Sequence, residues 1–153
     1  MSPTPDPVAF DQQIRRYVYD QAMRAGRPPP IAETAAAFTV SEGDVRDSFQ
    51  RLAESHILVL QPEDGEILMA NPFSAVPTPF VVRSGERSYY GNCIWDALGI
   101  PAMLGRDAVV EASCADCGTA MTLEVAAGRL RPAQGVAHFA VPAMHWWDDV
   151  VFT

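Results

Sequence analysis

The chain has 153 residues, 48% hydrophobic and 20% charged, the balance of an ordinary globular protein with room for one compact domain or two small ones in contact. Its net charge of −8, with every one of the 11 basic residues an arginine, sets a repulsive field against nucleic acid. No apolar run approaches the roughly 18 residues needed to cross a bilayer, and Met1-Ser-Pro-Thr-Pro-Asp6 lacks a signal pattern. A cytoplasmic location is therefore expected, and the three cysteines, too few for a disulfide framework, read as metal or redox groups.

Residues 1–7 hold three prolines and are expected to form an unstructured lead-in. From Val8 to about Ala25, Phe10, Ile14, Tyr17, Val18 and Met23 recur at near-helical spacing until Gly26-Arg-Pro-Pro-Pro30 ends the pattern. A short alanine-rich helix follows over Ile31–Ala37. Ser41 then caps a third helix running to about Ser55, with Val45, Phe49 and Leu52 on its apolar side. Ile57–Leu60 and Glu66–Ala70 read as a hairpin around Gln61–Gly65. Three helices and a hairpin make a winged-helix-like order. In a DNA reader the third helix enters the major groove, but here it carries Glu42, Asp44, Asp47 and Glu54 against Arg46 and Arg51. A scaffold is expected of this half, with no DNA bound.

Asn71–Pro79, with three prolines, reads as a semi-rigid connector between a first domain at 1–70 and a second at 80–153. Phe80–Arg83 and Glu86–Tyr90 form a hairpin leading into an apolar helix that starts with Gly91-Asn-Cys-Ile-Trp-Asp96. Cys93 and Asp96 are three residues apart, so thiol and carboxyl share one helix face. Gly91-Asn92 reads as turn and N-cap. That puts Cys93 in the first helical turn, where free amides and the helix dipole lower a thiol pKa, and it makes Cys93 the thiol expected to react first. Composition and spacing leave open whether this pair is reactive or whether Cys93 is simply a small buried hydrophobe beside a capping carboxylate.

Strands follow at Ala108–Ser113 and Thr119–Val125, joined by the tight turn Cys114-Ala-Asp-Cys117-Gly118, with further strands at Gly128–Arg131 and Gly135–Val141. A C-x-x-C turn holds two thiolates close enough to share a soft cation or pair with each other. A closed zinc site would need two more ligands, for which Cys93, His138, His145 or carboxylates are available. Each of these histidines also has an ordinary reading as a hydrogen-bonded structural side chain. Trp146-Trp147 supplies an apolar wall, and with Trp95 and Asp148 it makes a candidate substrate pocket. The fold class expected is α+β: a winged-helix-like three-helix domain, then a mostly antiparallel sheet with one active-site helix.

The segment Tyr90-Gly-Asn-Cys-Ile-Trp-Asp-Ala-Leu-Gly-Ile-Pro-Ala-Met-Leu-Gly-Arg106 resembles the active-site segment of the organomercurial (alkylmercury) lyases, where a Cys-x-x-Asp precedes Pro-Ala and then Gly-Arg. The likeness continues through Ala108–Cys114 to Gly118. It covers residues 80–153 well and the first half in architecture only. The resemblance implies that Cys93 binds mercury, that Asp96 handles the proton given to the departing carbon, and that a second thiolate raises electron density on the metal. Trp147 falls where the family's second cysteine would stand. It further implies an organometallic or other small-molecule ligand and no required cofactor, and it gives Cys114 a largely structural role and Cys117 no counterpart; from the thiol spacing itself, a bound soft metal such as mercury, zinc or copper is expected at Cys93, Cys114 and Cys117. Because the family usually continues past this chain's end, the pocket cover is expected to be reduced or supplied by a partner subunit, as in a homodimer. Two other readings stand beside it: a thiol-based metal-binding or metal-responsive protein without turnover, and an enzyme that keeps the Cys-Asp pair for an organic substrate.

Overall fold

The computed structural model describes residues 6–151. Most of the expected lead-in and the last two residues of the closing segment lie outside them. Helix α1 (Pro7–Ala25) begins under Asp6, whose side chain accepts from the Val8 amide, and it ends at Gly26 in the left-handed conformation. Helices α2 (Ile31–Phe38) and α3 (Glu42–Glu54) follow, α3 with a reciprocal capping box between Ser41 and Asp44. Strands β1 (Val59–Leu60), β2 (Ile67–Ala70) and β3 (Phe73–Ser74) form an antiparallel sheet in sequence order. Part of the stretch read as a connector is therefore strand, and Phe73 is fully buried.

The second sheet has the order β5-β4-β6-β7-β8, built from Val81–Ser84 (β4), Arg87–Tyr90 (β5), Ala108–Ser113 (β6), Ala120–Ala126 (β7) and Arg129–Leu130 (β8). All of its pairings are antiparallel. Helix α4 (Ile94–Leu104) lies between β5 and β6 in sequence and packs on β3, β4 and β6. The molecule is thus an α+β protein. No described helix is long and apolar enough to cross a membrane.

One expected strand is corrected. Gly135–Val141 is irregular, and His138, expected in an alternating strand, is exposed there. The cause is local: β8 is the sheet's edge, and Pro132 supplies no amide donor to extend it.

Two cores result, one under α1–α3 and the first sheet, the other between α4 and the second sheet. Helix α1 belongs to both. Its buried residues Phe10, Ile14, Val18 and Ala22 are each four apart, and four residues overshoot one helical turn by about 40°. The apolar row therefore winds round the helix, from the first core at Phe10 to the second at Ala22. Two phenols fix this end: Tyr89 donates to the Met23 carbonyl at 2.9 Å and Tyr19 to the Asn71 carbonyl at 3.1 Å.

The approach of β5 to α4 is set by Gly91. A methyl group there would lie 2.7 Å from the Ala97 nitrogen and 2.8 Å from its Cα, contacts that backbone cannot relieve by rotating a side chain. Gly91 also bridges to Phe73, donates to the Phe80 carbonyl, and accepts at 2.6 Å from the Thr78 hydroxyl. Gly91→Ala should cost at least the 1–3 kcal/mol typical of overpacking, read as a lower denaturant midpoint at unchanged slope; wild-type stability in this variant would show that α4 can move away freely.

Candidate functional site at the start of the fourth helix

Cys93 is the N-cap of α4, one residue earlier than expected. Its backbone is extended (φ −148°), and its Sγ accepts from the Asp96 amide at 3.5 Å. Thiol and carboxyl are therefore brought together at one helix end, as the i, i+3 spacing requires.

Asn92 does not cap the helix. Its Nδ2 donates to Asp96 Oδ2 and to Asn71 Oδ1, both at 2.9 Å, while its own Oδ1 is buried with no hydrogen-bond partner among the described residues. The Asn71 carbonyl takes the Tyr19 phenol. A polar chain from α1 through Asn71 and Asn92 thus holds the Asp96 carboxylate in one orientation. Sequence reasoning singled out neither Asn71 nor Tyr19. Only the run of polar residues flanking an apolar helix start hinted at Asn92.

The electrostatics reverse the expected low thiol pKa. Burial raises the Cys93 pKa, and the Asp96 charge raises it further against the opposing amide hydrogen bond. Burial also lifts Asp96 above the usual carboxylate range, although the Asn92 hydrogen bond pulls it down. The dipole at a helix terminus contributes about 0.3–1 kcal/mol at exposed sites; here desolvation outweighs it. Both shifts run towards the protonated form, on a carboxyl and a thiol that share one helix end.

The other expected site residues divide between two places. Trp95, 59% exposed, meets Phe139 edge-on, and Phe139 packs on Trp146 with ring centroids 5.0 Å apart. This aromatic row starts in the first turn of α4, beside Cys93. Trp147 turns elsewhere and stacks on His56, centroids 4.3 Å apart and 7° from parallel. The pair borders an open groove of about 490 Å³ whose lining includes Gln50, Leu58 and Pro62 but neither Cys93 nor Asp96. Asp148 is exposed and hydrogen-bonded to His145 at 2.8 Å.

Cys114 and Cys117 lie in the β6–β7 turn, and the structure does not bring them to Cys93. Among the described residues no three His, Cys, Asp or Glu side chains converge as a metal set. The expected three-thiol site is not assembled: the β6–β7 turn and the start of α4 lie at the same end of the sheet, but β4 stands between β5 and β6. The Cys117 thiol is held below its ordinary pKa, chiefly by hydrogen bonding to Thr119.

Two outcomes follow from these environments. At mildly alkaline pH, iodoacetamide should label Cys117 ahead of Cys93 in peptide maps of the folded protein; faster labelling of Cys93 would mean that burial does not control its thiol. A carboxyl whose folded pKa is raised stabilises fully below the unfolded value of 3.8, and the contribution is lost as pH rises through the folded value. Asp96→Asn keeps an acceptor for Asn92 and removes that loss. It should raise Tm at pH 8, with the gain disappearing towards pH 4. A gain equal at both pH values would show that ionisation of Asp96 is not its cause.

Residues 73–153, more than half of the chain, match the family profile described as alkylmercury lyase. Among solved structures, the mercury-bound form of MerB2 superposes with a TM-score of 0.60 at 18% identity, over 84% of this chain and 67% of that one, a likeness of fold. No curated protein sequence matches. The chain whose Cys93 and Asp96 meet at the start of α4 belongs to the alkylmercury lyase family.

Proposed function

We propose that this protein binds organomercurials, or another thiophilic electrophile, through Cys93, and that Asp96 delivers the proton in carbon–mercury cleavage. The observation that supports this reading is the half-buried carboxyl, oriented by Asn92, on the same helix end as the thiol. In the first step the organomercurial's anionic ligand leaves mercury together with the Cys93 S–H proton as sulfur bonds to the metal. In the second, the electron pair of the carbon–mercury bond passes to carbon, which takes the Asp96 proton and leaves as hydrocarbon. Mercury stays divalent on sulfur and Asp96 becomes a carboxylate, so atoms and charge balance without an oxidant. Trp95, Phe139 and Trp146 supply an aromatic surface for an apolar organic group.

Trp147 stands where the family resemblance places a second thiolate, and its indole is engaged with His56. A single thiolate donates less charge to mercury and leaves the carbon less basic, so stoichiometric binding with slow release is expected. The acidic face of α3 supports a scaffold role for the first half over duplex DNA binding.

Incubation with an organomercurial while freed hydrocarbon and protein-bound mercury are both measured tests the reading. In a Cys114→Ser, Cys117→Ser background, which removes the other two free thiols, one equivalent should bind and depend on Cys93. Single-turnover hydrocarbon release should fall in Asp96→Asn by roughly 10²–10⁴-fold, the loss typical of a general acid. Binding without release would favour a non-catalytic metal-binding role, and neither binding nor release would turn the assignment towards an organic substrate.

A further inference from the structure

The C-x-x-C turn is left unused by the reading above. Residues 114–119 are locked by paired backbone bonds: the Cys114 amide donates to the Thr119 carbonyl at 2.9 Å and the Gly118 amide to the Cys114 carbonyl at 2.8 Å. Gly118, at φ +70°, takes the left-handed conformation that closes the turn. The turn caps the longest ladder of the sheet, where β6 and β7 pair from Ala108↔Val125 to Ser113↔Ala120, so the two cysteine backbones are rigidly placed. Cys117 is exposed and Cys114 half-buried, and both thiols are free. Polar partners gather on the Cys117 sulfur: Thr119 Oγ1 at 3.1 Å, the Thr119 amide and the Cys114 thiol.

We propose that Cys114 and Cys117 form a second soft-metal site, separate from Cys93, which holds one thiophilic d10 ion such as Hg(II) between two thiolates. Thiolate sulfur is the ligand that selects such ions. No further His, Cys, Asp or Glu among the described residues completes a set of three with them, which suits an ion content with two ligands better than zinc, which needs four. Binding exchanges two S–H protons for two sulfur–metal bonds and involves no oxidation. The open position of the turn lets the ion enter from, and leave to, other thiols in solution.

The test removes the first site. Full-length Cys93→Ser protein, kept reduced and anaerobic, is titrated with mercuric chloride against a small-molecule thiol competitor, following thiolate-to-mercury absorbance and proton release. One equivalent should bind with two protons released. Adding Cys117→Ser or Cys114→Ser should weaken binding by roughly 10²-fold or more, the gain lost when two linked ligands no longer act together. Blocking the exposed Cys117 with iodoacetamide in folded Cys93→Ser protein should do the same, so that a variant that folds poorly does not decide the matter. Binding that the second substitution leaves within about threefold, one ion shared by two chains, or no binding at all would each overturn the proposal. Inorganic mercury and the absence of Cys93 make these outcomes independent of whether carbon–mercury cleavage occurs.

Discussion

The contact between Gly91 and the backbone of Ala97 is the constraint on which the candidate site depends. With no Cβ at 91, the end of β5 sits directly against the first turn of α4. The chain therefore has only Gly91, Asn92 and Cys93 in which to turn from strand into helix. That short passage makes Cys93 the N-cap, points its sulfur at the Asp96 amide, and leaves Asn92 to span between Asp96 and Asn71. The geometry of the acid and the thiol thus follows from backbone packing two residues away.

Desolvation and hydrogen bonding oppose each other at this site, and desolvation wins for both titrating groups. A thiolate sitting ready at a helix terminus is the usual route to a reactive cysteine. Here burial shifts the thiol towards its protonated form, a shift that favours ligands whose bond to sulfur repays deprotonation.

Much of the architecture was legible because it is written locally. Ser41 and Asp44 announce a capping box, the alternation of β7 places Leu123 and Val125 inside, and the i, i+3 spacing of Cys93 and Asp96 survives in the structure. The proline-rich stretch concealed β3, since Phe73 pairs at Ala70 across a turn of only two residues and reads as loop by composition. Tyr19 and Asn71 escaped notice for a different reason: their bond joins positions 52 apart in sequence, and no local pattern encodes such a partner. The helix dipole argument at Cys93 also failed through distance, because it is packing by other elements that removes water from the thiol.

The winding apolar row of α1 has a consequence for descent. The segment shared with the alkylmercury lyases begins at Phe73, yet the core beneath it is completed by Ala22, with Tyr19 and Met23 against its edge, from a helix about fifty residues upstream. The segment that matches the family profile is therefore smaller than the unit that folds. A recombination that transplanted residues 73–153 into another chain would leave a gap the size of a helix end beside Phe73 and Tyr89, so exchange between lineages should succeed only when the last turns of α1 travel with it or when the recipient brings a matching helix of its own.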